Sequence, residues 1–318
     1  MPSKNRIHVA AAVIRDSQER VLLSLRPGHV HQGGLWEFPG GKLENQETIE
    51  EGLHREIQEE LGIQIRQARP LIRIQHDYSD RSVLLDVWQV EAYQGEPQGL
   101  EGQALEWVQI ADLSSRPMPA ADVPIVNAIK LPEFYMITPD YTDRDVFLSR
   151  LEQALVAGIR LVQLRAKQLD RHAYAALSHE VTDLCHRYQA KALLNIPVEW
   201  LPDCTGDGLH LSSQRLMQLH ERPVHTGQWL AASCHTQGEI ERANEIGVDF
   251  IVLSPVLATP SHPNASPMGW DTFSQLTDSA CMPVYALGGL RRSHLASSFV
   301  YGAQGIAGIR AFWESESV

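Results

Sequence analysis

Within residues 41–63 the chain places Gly41, Glu47, Arg55, Glu56, Glu59, Glu60 and Gly62, with apolar Ile57 and Ile63 beside the last of them. Glu56, Glu59 and Glu60 stand at i, i+3 and i+4, so a helix would carry their carboxylates on one face within a turn. Like charges so placed repel, and Arg55 is the only fixed cation between His54 and Gly62. The three glutamates alone leave two readings open: a solvated acidic face, or a site where a hard divalent cation, Mg2+ or Mn2+, relieves the crowding together with substrate phosphates. The preceding loop bears on the choice. Pro39-Gly40-Gly41 follows Leu35-Trp36-Glu37-Phe38, and paired glycines let the backbone turn sharply and come close to a ligand.

These residues need a helix over 48–61, closed by Gly62 as its C-cap. Before it, the apolar stretches 7–14 and 20–25 predict two strands separated by a polar turn; after it, 71–76, 83–92 and 105–108 predict three more, and 124–131 a second helix. The 318 residues suit two domains, expected as 1–131 and 132–318. The net charge of −12 is shared evenly between them, so neither half has the basic footprint of a nucleic-acid-polymer binder, and nucleotides are the more fitting partners. The N-terminal apolar run, His8 to Ile14, is too short to span a bilayer. Cys185, Cys204, Cys234 and Cys281 are too widely spaced for a metal or redox pair and read as buried fillers of a reduced, cytoplasmic protein, with Cys234 beside His235 as the one to watch.

The spacing of residues 41–63 resembles the Nudix box at every fixed position. Trp36-Glu37-Phe38-Pro39-Gly40-Gly41-Lys42, and Glu101-Gly102-Gln103 ahead of Glu106-Trp107, are similar to MutT-type nucleotide pyrophosphohydrolases over most of residues 5–130. The resemblance implies a mixed α/β/α sandwich. It further implies attack at the β-phosphorus of a nucleoside triphosphate such as 8-oxo-dGTP, giving a monophosphate and pyrophosphate. Implied metal ligands are the Gly40 carbonyl, Glu56, Glu59, Glu60 and Glu101, and implied catalytic groups are Glu59, Glu56, Glu101 and Arg55, the last orienting carboxylates. Arg26, Phe38, Tyr78, Arg81 and Asp122 are implied substrate contacts. Asp122 departs from that subfamily, which commonly has Asn there, and its residue type suits an N-cap for the second helix equally well.

From residue 133 the pattern changes to eight short apolar runs, 134–138, 161–164, 192–196, 208–211, 230–233, 250–254, 284–287 and 305–309, alternating with helical segments. That alternation predicts a (β/α)8 barrel with its chemistry at the strand C-termini. Val162-Gln163-Leu164-Arg165-Ala166-Lys167, Ser233-Cys234-His235, Ser254-Pro255-Val256, Thr259-Pro260-Ser261 and Gly288-Gly289 resemble the thiamin phosphate synthase and TenI superfamily. Gln163, Arg165, Lys167, Asn195, His235, Thr259, Ser261, Gly288 and Gly289 are the ligand or phosphate contacts it implies. Where synthases carry Asn-Asp after the third strand this chain has Asn195-Ile196, and where they carry Gly-Gln-x-Asp after the fourth it has Ser212-Ser213-Gln214-Arg215. Both aspartates expected to hold Mg2+ are absent. The expectation is therefore a degenerate site that binds a thiamin-pathway phosphate, as a TenI-like isomerase, a sensor or an interaction module, or as the recognition module for a Nudix site acting on a thiamin-related diphosphate.

Overall fold

The computed structural model describes residues 6–28, 32–78, 82–259 and 266–313. By its internal contacts the chain divides into Met1–Lys130 and Leu131–Val318.

In the first unit, β1 (Arg6–Ile14) is apolar on both faces and becomes an inner strand. It runs parallel to β6 (Ser82–Gln94) and antiparallel to β4 (Gly40–Lys42), and β5 (Gln64–Asp77) completes a mixed sheet of order β4-β1-β6-β5. A second sheet, β3-β2-β7, joins Trp36–Glu37, Arg20–Leu25 and Leu105–Gln109. Alternate residues of β1 face opposite cores. Ala10, Ala12 and Ile14 pack with Leu53, Ile57 and Leu61 of α1 (Ile49–Leu61), while Ala11 and Val13 pack with Ile125, Val126 and Ile129 of α2 (Val123–Lys130). Two helices on opposite sides of a sheet give the expected α/β/α sandwich.

Thr48 caps α1 rather than entering it. The Glu51 amide donates to its hydroxyl at 3.2 Å, the Thr48 amide donates to the Glu51 carboxylate at 2.8 Å, and Gly62 ends the helix at φ 70°. Strands β3 and β4 were not expected, being two and three residues long. β5 begins seven residues before the expected 71, because its polar first half pairs with β6 through register shifts around Ile65, Gln67 and Pro70.

The second unit is a closed, all-parallel barrel of eight strands: β8 (Phe134–Ile137), β9 (Leu161–Leu164), β10 (Lys191–Leu194), β11 (Gly208–Leu211), β12 (Trp229–Cys234), β13 (Phe250–Leu253), β14 (Val284–Ala286) and β15 (Gly305–Gly308). Tyr135, Phe250 and Tyr285 point inward with ring centroids 5.4–5.6 Å apart, and three aromatics fill an interior that such short strands would otherwise leave thin. Leu131 packs into this floor, which is why the unit boundary falls before it. Short helices Ser213–Gln218, Gly269–Thr277 and Arg310–Trp313 were not expected from the sequence. Only Cys185 and Cys234 are buried; Cys204 and Cys281 are half-buried, correcting the reading of all four as fillers. Burial pushes the Cys234 thiol up to about 12, which removes it as a ready nucleophile. Among the described residues no helix is long and apolar enough to cross a membrane.

Candidate functional site

The bend before α1 is built from backbone that tolerates no side chain. A Cβ on Gly40, whose φ is +145°, would lie 2.1 Å from the Ala10 carbonyl oxygen, and one on Gly41 would lie 2.2 Å from the Glu56 carboxylate. The space over Gly41 therefore belongs to Glu56. The Gly40 amide donates to Glu60 Oε2 at 3.1 Å, so both carboxylates face the same bend. Burial is the main force pushing the Glu60 carboxyl up to about 8; Glu37, Glu101 and Glu56 add repulsion, and the Gly40 N–H opposes.

Arg55 organises the other side. Its Nε and Nη2 grip the two Glu47 oxygens at 2.8 Å each, its Nη1 reaches Glu56 at 2.9 Å and Glu59 at 3.1 Å, and Nη2 also donates to the Lys42 carbonyl at 3.1 Å. The forked contact holds the Glu47 carboxyl down to about 2. Glu59 is the most exposed of the three helix glutamates. Glu101 is exposed on a loop tied to the end of α1, where the Leu100 amide and the Gln103 side chain both donate to the Glu60 carbonyl, at 2.9 and 3.1 Å.

Behind the carboxylates lies a second set. Arg26 pairs with Glu37, and both are half-buried. Glu37 acts on Glu60 on one side and on Tyr78 and Asp122 on the other. Tyr78 oxygen accepts from the Ala121 backbone, and its ring meets His76 edge-on at 4.4 Å. Asp122 is 6% exposed, and its Oδ2 has no hydrogen-bond partner. It lies in the turn Ala120–Asp122 that runs into α2 and forms no side-chain cap, so the capping expectation is corrected. The Phe38 side chain is 3% exposed and belongs to the core cluster that holds Ile125 and Leu71, which leaves its backbone as the part that could meet a substrate. Arg81 lies outside the described residues.

In the barrel, polar residues meet at the strand ends. Gln163 is buried and donates to the Tyr135 hydroxyl at 3.5 Å; Tyr135 lies 3.0 Å from His210 Nδ1, and His210 Nε2 lies 2.8 Å from the Ser233 hydroxyl. Burial pushes His210 down to about 3, so its ring is neutral and links the two hydroxyls. Asn195 donates to the His210 carbonyl at 2.8 Å. Arg165 pairs with the exposed Asp140 at 2.9 Å, and Lys167 is held below its ordinary range by burial and then by Arg165, with Arg215 adding. His235 is exposed, its Nδ1 2.7 Å from the Ser254 carbonyl. Gly288 and Gly289, at φ 109° and 66°, lie so close to Pro255 and to the Ala258 carbonyl that a Cβ would overlap them. Their glycine identity is thus already required by chain packing. Thr259 is half-buried, and Ser261 lies outside the described residues.

The NUDIX domain family matches residues 10–128, and the thiamine monophosphate synthase family matches residues 134–312. The chain belongs to both families. Its Nudix part is 34% identical over 125 residues to the 8-oxo-dGTP diphosphatase of Escherichia coli (strain K12), covering 39% of this chain and 97% of that one. The CTP pyrophosphohydrolase of the same organism is 38% identical over 122 residues, 38% of this chain and 90% of that one. Its barrel is 37% identical over 187 residues to a protein of Aquifex aeolicus (strain VF5) named, provisionally, as thiamine-phosphate synthase 2, covering 58% of this chain and all of that one.

Nudix hydrolases generally use divalent metal ions. Among the described residues no three carboxylate, imidazole or thiol groups close around one point. Mg2+ is ordinarily held by one or two carboxylates completed by phosphate and water, so Glu56 and Glu60, both half-buried, fit such an ion. Sequence reasoning missed Glu37 and, in the barrel, Tyr135, His210 and Ser233. His210 left a trace, a lone imidazole in the otherwise apolar Gly208–Leu211; the ring of partners around it left none.

Proposed function

We propose that the Nudix unit hydrolyses nucleoside triphosphates to the monophosphate and pyrophosphate, with an oxidised purine nucleotide such as 8-oxo-dGTP as its preferred substrate. The observation that carries this is the placement of Glu56 and Glu60 against the Gly40-Gly41 bend, with Arg55 bracing Glu47, Glu56 and Glu59 around it. Glu56 and Glu60, with the Gly40 carbonyl and Glu59 or Glu101, would hold Mg2+ or Mn2+. When bound, that ion supplies charge neutralisation and Lewis acidity toward the polyphosphate.

This chain's own groups do the rest. Arg55 keeps the carboxylates in register, so that less of the barrier is spent in arranging them. Glu59, exposed and tethered by Arg55, takes a proton from the attacking water, and Glu101 is the alternative base. Arg26, Tyr78 and Asp122 hold the nucleoside. Steady-state rates with 8-oxo-dGTP, dGTP and CTP test the reading. The expected result is pyrophosphate release with 8-oxo-dGTP favoured; release of inorganic phosphate alone, or no turnover of any triphosphate, would refute it.

The barrel reading is a phosphate-binding one. Arg165, Lys167 and Arg215 supply cations at the strand ends, and no aspartate stands at the two positions where a synthase would bind Mg2+. We infer that the barrel binds a phosphorylated thiamin-pathway compound without joining its pyrimidine and thiazole halves. Calorimetry with thiazole phosphate and thiamin phosphate, beside a coupling assay in Mg2+, tests both parts. Coupling at an ordinary enzymatic rate, or no binding at about millimolar ligand, would contradict it.

A further inference from the structure

Resting on the phosphate-binding reading of the barrel, we propose that Tyr135 and His210 are positioning residues that fix Ser233 as a hydrogen-bond donor at the strand ends, so that the barrel takes a ligand with an acceptor atom there. Alternation along the strands turns the set inward. Leu209 and Leu211 flank His210, Ala232 and Cys234 flank Ser233, and all four flanking residues pack in the outer core shared with the helices. Gln163, Tyr135 and His210 are at most 3% exposed, whereas Ser233, next to last in β12, is half-buried. The contacts therefore run from the sealed interior to the C-terminal end of a strand, where barrels of this kind place their chemistry.

The relay has a direction, set by where its protons can sit. Burial keeps the Tyr135 hydroxyl protonated and the His210 ring neutral. A neutral imidazole carries one N–H and one bare nitrogen. The Gln163 amide donates to the Tyr135 oxygen at 3.5 Å, which leaves the phenolic proton for His210 Nδ1, 3.0 Å away. The imidazole proton then belongs on Nε2 and is donated to the Ser233 oxygen at 2.8 Å. Ser233 is left with its own O–H to place. A ligand acceptor pairs with it, whereas a ligand bringing only donors leaves that proton without a partner. Phosphoryl and carboxylate oxygens are acceptors of this kind, and they also suit Arg165, Lys167 and Arg215 at the same strand ends. The direction further separates this pair from a nucleophilic serine. In that arrangement Nε2 is bare and takes the hydroxyl proton, while an acceptor holds Nδ1–H. Here Nδ1 faces a donor and Nε2 is filled, so His210 is not placed to activate Ser233.

Two-bond proton–nitrogen NMR of the full chain with isotope-labelled histidine reads the position of the proton with no ligand present. Among the described residues His210 is the only buried histidine, so its ring is recognised as the one still neutral at about pH 5, where exposed imidazoles are charged. The expected spectrum has the proton on Nε2 and a bare, hydrogen-bonded Nδ1. In Tyr135→Phe the Nδ1 signal should move to that of an unbonded nitrogen and the proton should exchange between the two ring positions. A proton on Nδ1 in the unaltered chain would overturn the relay, as would a His210 spectrum that Tyr135→Phe leaves unchanged. If that variant does not fold, the proton's position in the unaltered chain decides alone. In calorimetry with thiazole phosphate and thiamin phosphate, Ser233→Ala should bind about 10-fold more weakly and Tyr135→Phe roughly 3-fold. Equal affinity of Ser233→Ala for both compounds would overturn the ligand role of Ser233. No binding by the unaltered chain at about millimolar ligand would sink the phosphate reading and that ligand role together, whereas the position of the His210 proton decides the relay independently.

Discussion

Around the Gly40-Gly41 bend the Nudix unit collects Glu56, Glu60 and Glu101 with Glu37 behind them, whereas the barrel's strand ends collect Arg165, Lys167 and Arg215. Both regions belong to families that handle phosphorylated ligands, yet their fixed charges are opposite. The acidic site repels a polyphosphate until a cation intervenes, and Glu60, raised chiefly by burial, is raised further by the carboxylates of Glu37, Glu101 and Glu56. The barrel supplies positive charge itself, so much so that Lys167 is depressed by its neighbours as well as by burial. The difference teaches how the sign of the local charge bears on the proposed chemistry: an acidic site calls for a divalent ion before phosphate can approach, whereas a cationic one can meet phosphate directly.

The most damaging change to this contrast is to neutralise the acidic site. Glu56→Gln and Glu60→Gln should each lose more than about 100-fold in hydrolysis while staying folded, since each removes charge at nearly constant volume. Steady-state rates beside circular dichroism check this, and near-normal activity in both would remove the metal assignment. Arg55→Lys should cost roughly 10-fold, because a point charge cannot grip Glu47 with two parallel bonds and still reach Glu56 and Glu59. In the same variant the Glu47 carboxyl should return toward its ordinary 4.5. Its depressed folded value contributes stability that is present above 4.5 and lost as pH falls toward about 2, so the variant's acid-unfolding midpoint should move up.

On the barrel side, Arg215→Asp restores the acidic residue type at that position and should weaken binding of inorganic phosphate about 10-fold in calorimetry without Mg2+, leaving nucleotide hydrolysis as it was. Equal affinity would show that Arg215 takes no part in the cationic set. The smallest effect expected is on stability. Asp122→Asn removes a carboxyl whose folded value is raised, so the penalty it lifts is absent below the ordinary 3.8 and grows as pH rises toward about 8. Urea unfolding should find the variant more stable by about 1–3 kcal/mol at pH 7 and little changed near pH 4.

How far the sequence could be read depended on whether a feature was local. The helix Ile49–Leu61 was legible because its cap pair Thr48 and Glu51, its glutamate spacing and Gly62 all lie within one short segment. The barrel strands were legible from their apolar runs, but Ser213–Gln218 and Arg310–Trp313 were not, being too short to show a helical period. Glu37 escaped because its meaning comes from Arg26, eleven positions away, and from Glu60 across the bend. For Asp122 the sequence suggested a helix cap. Only tertiary packing around the turn Ala120–Asp122 leaves its carboxyl buried and without a partner at Oδ2.

The central claim is that Glu56 and Glu60 make the Nudix unit a divalent-cation site while the barrel's cations need none. Mn2+ binding to the full chain, followed by electron paramagnetic resonance in the unaltered protein, in Glu60→Gln and in Arg215→Asp, tests it without depending on turnover. The account predicts that Glu60→Gln weakens the ion's binding by at least about 10-fold and that Arg215→Asp retains the unaltered chain's Nudix-site affinity. Unchanged Mn2+ affinity in Glu60→Gln would contradict it.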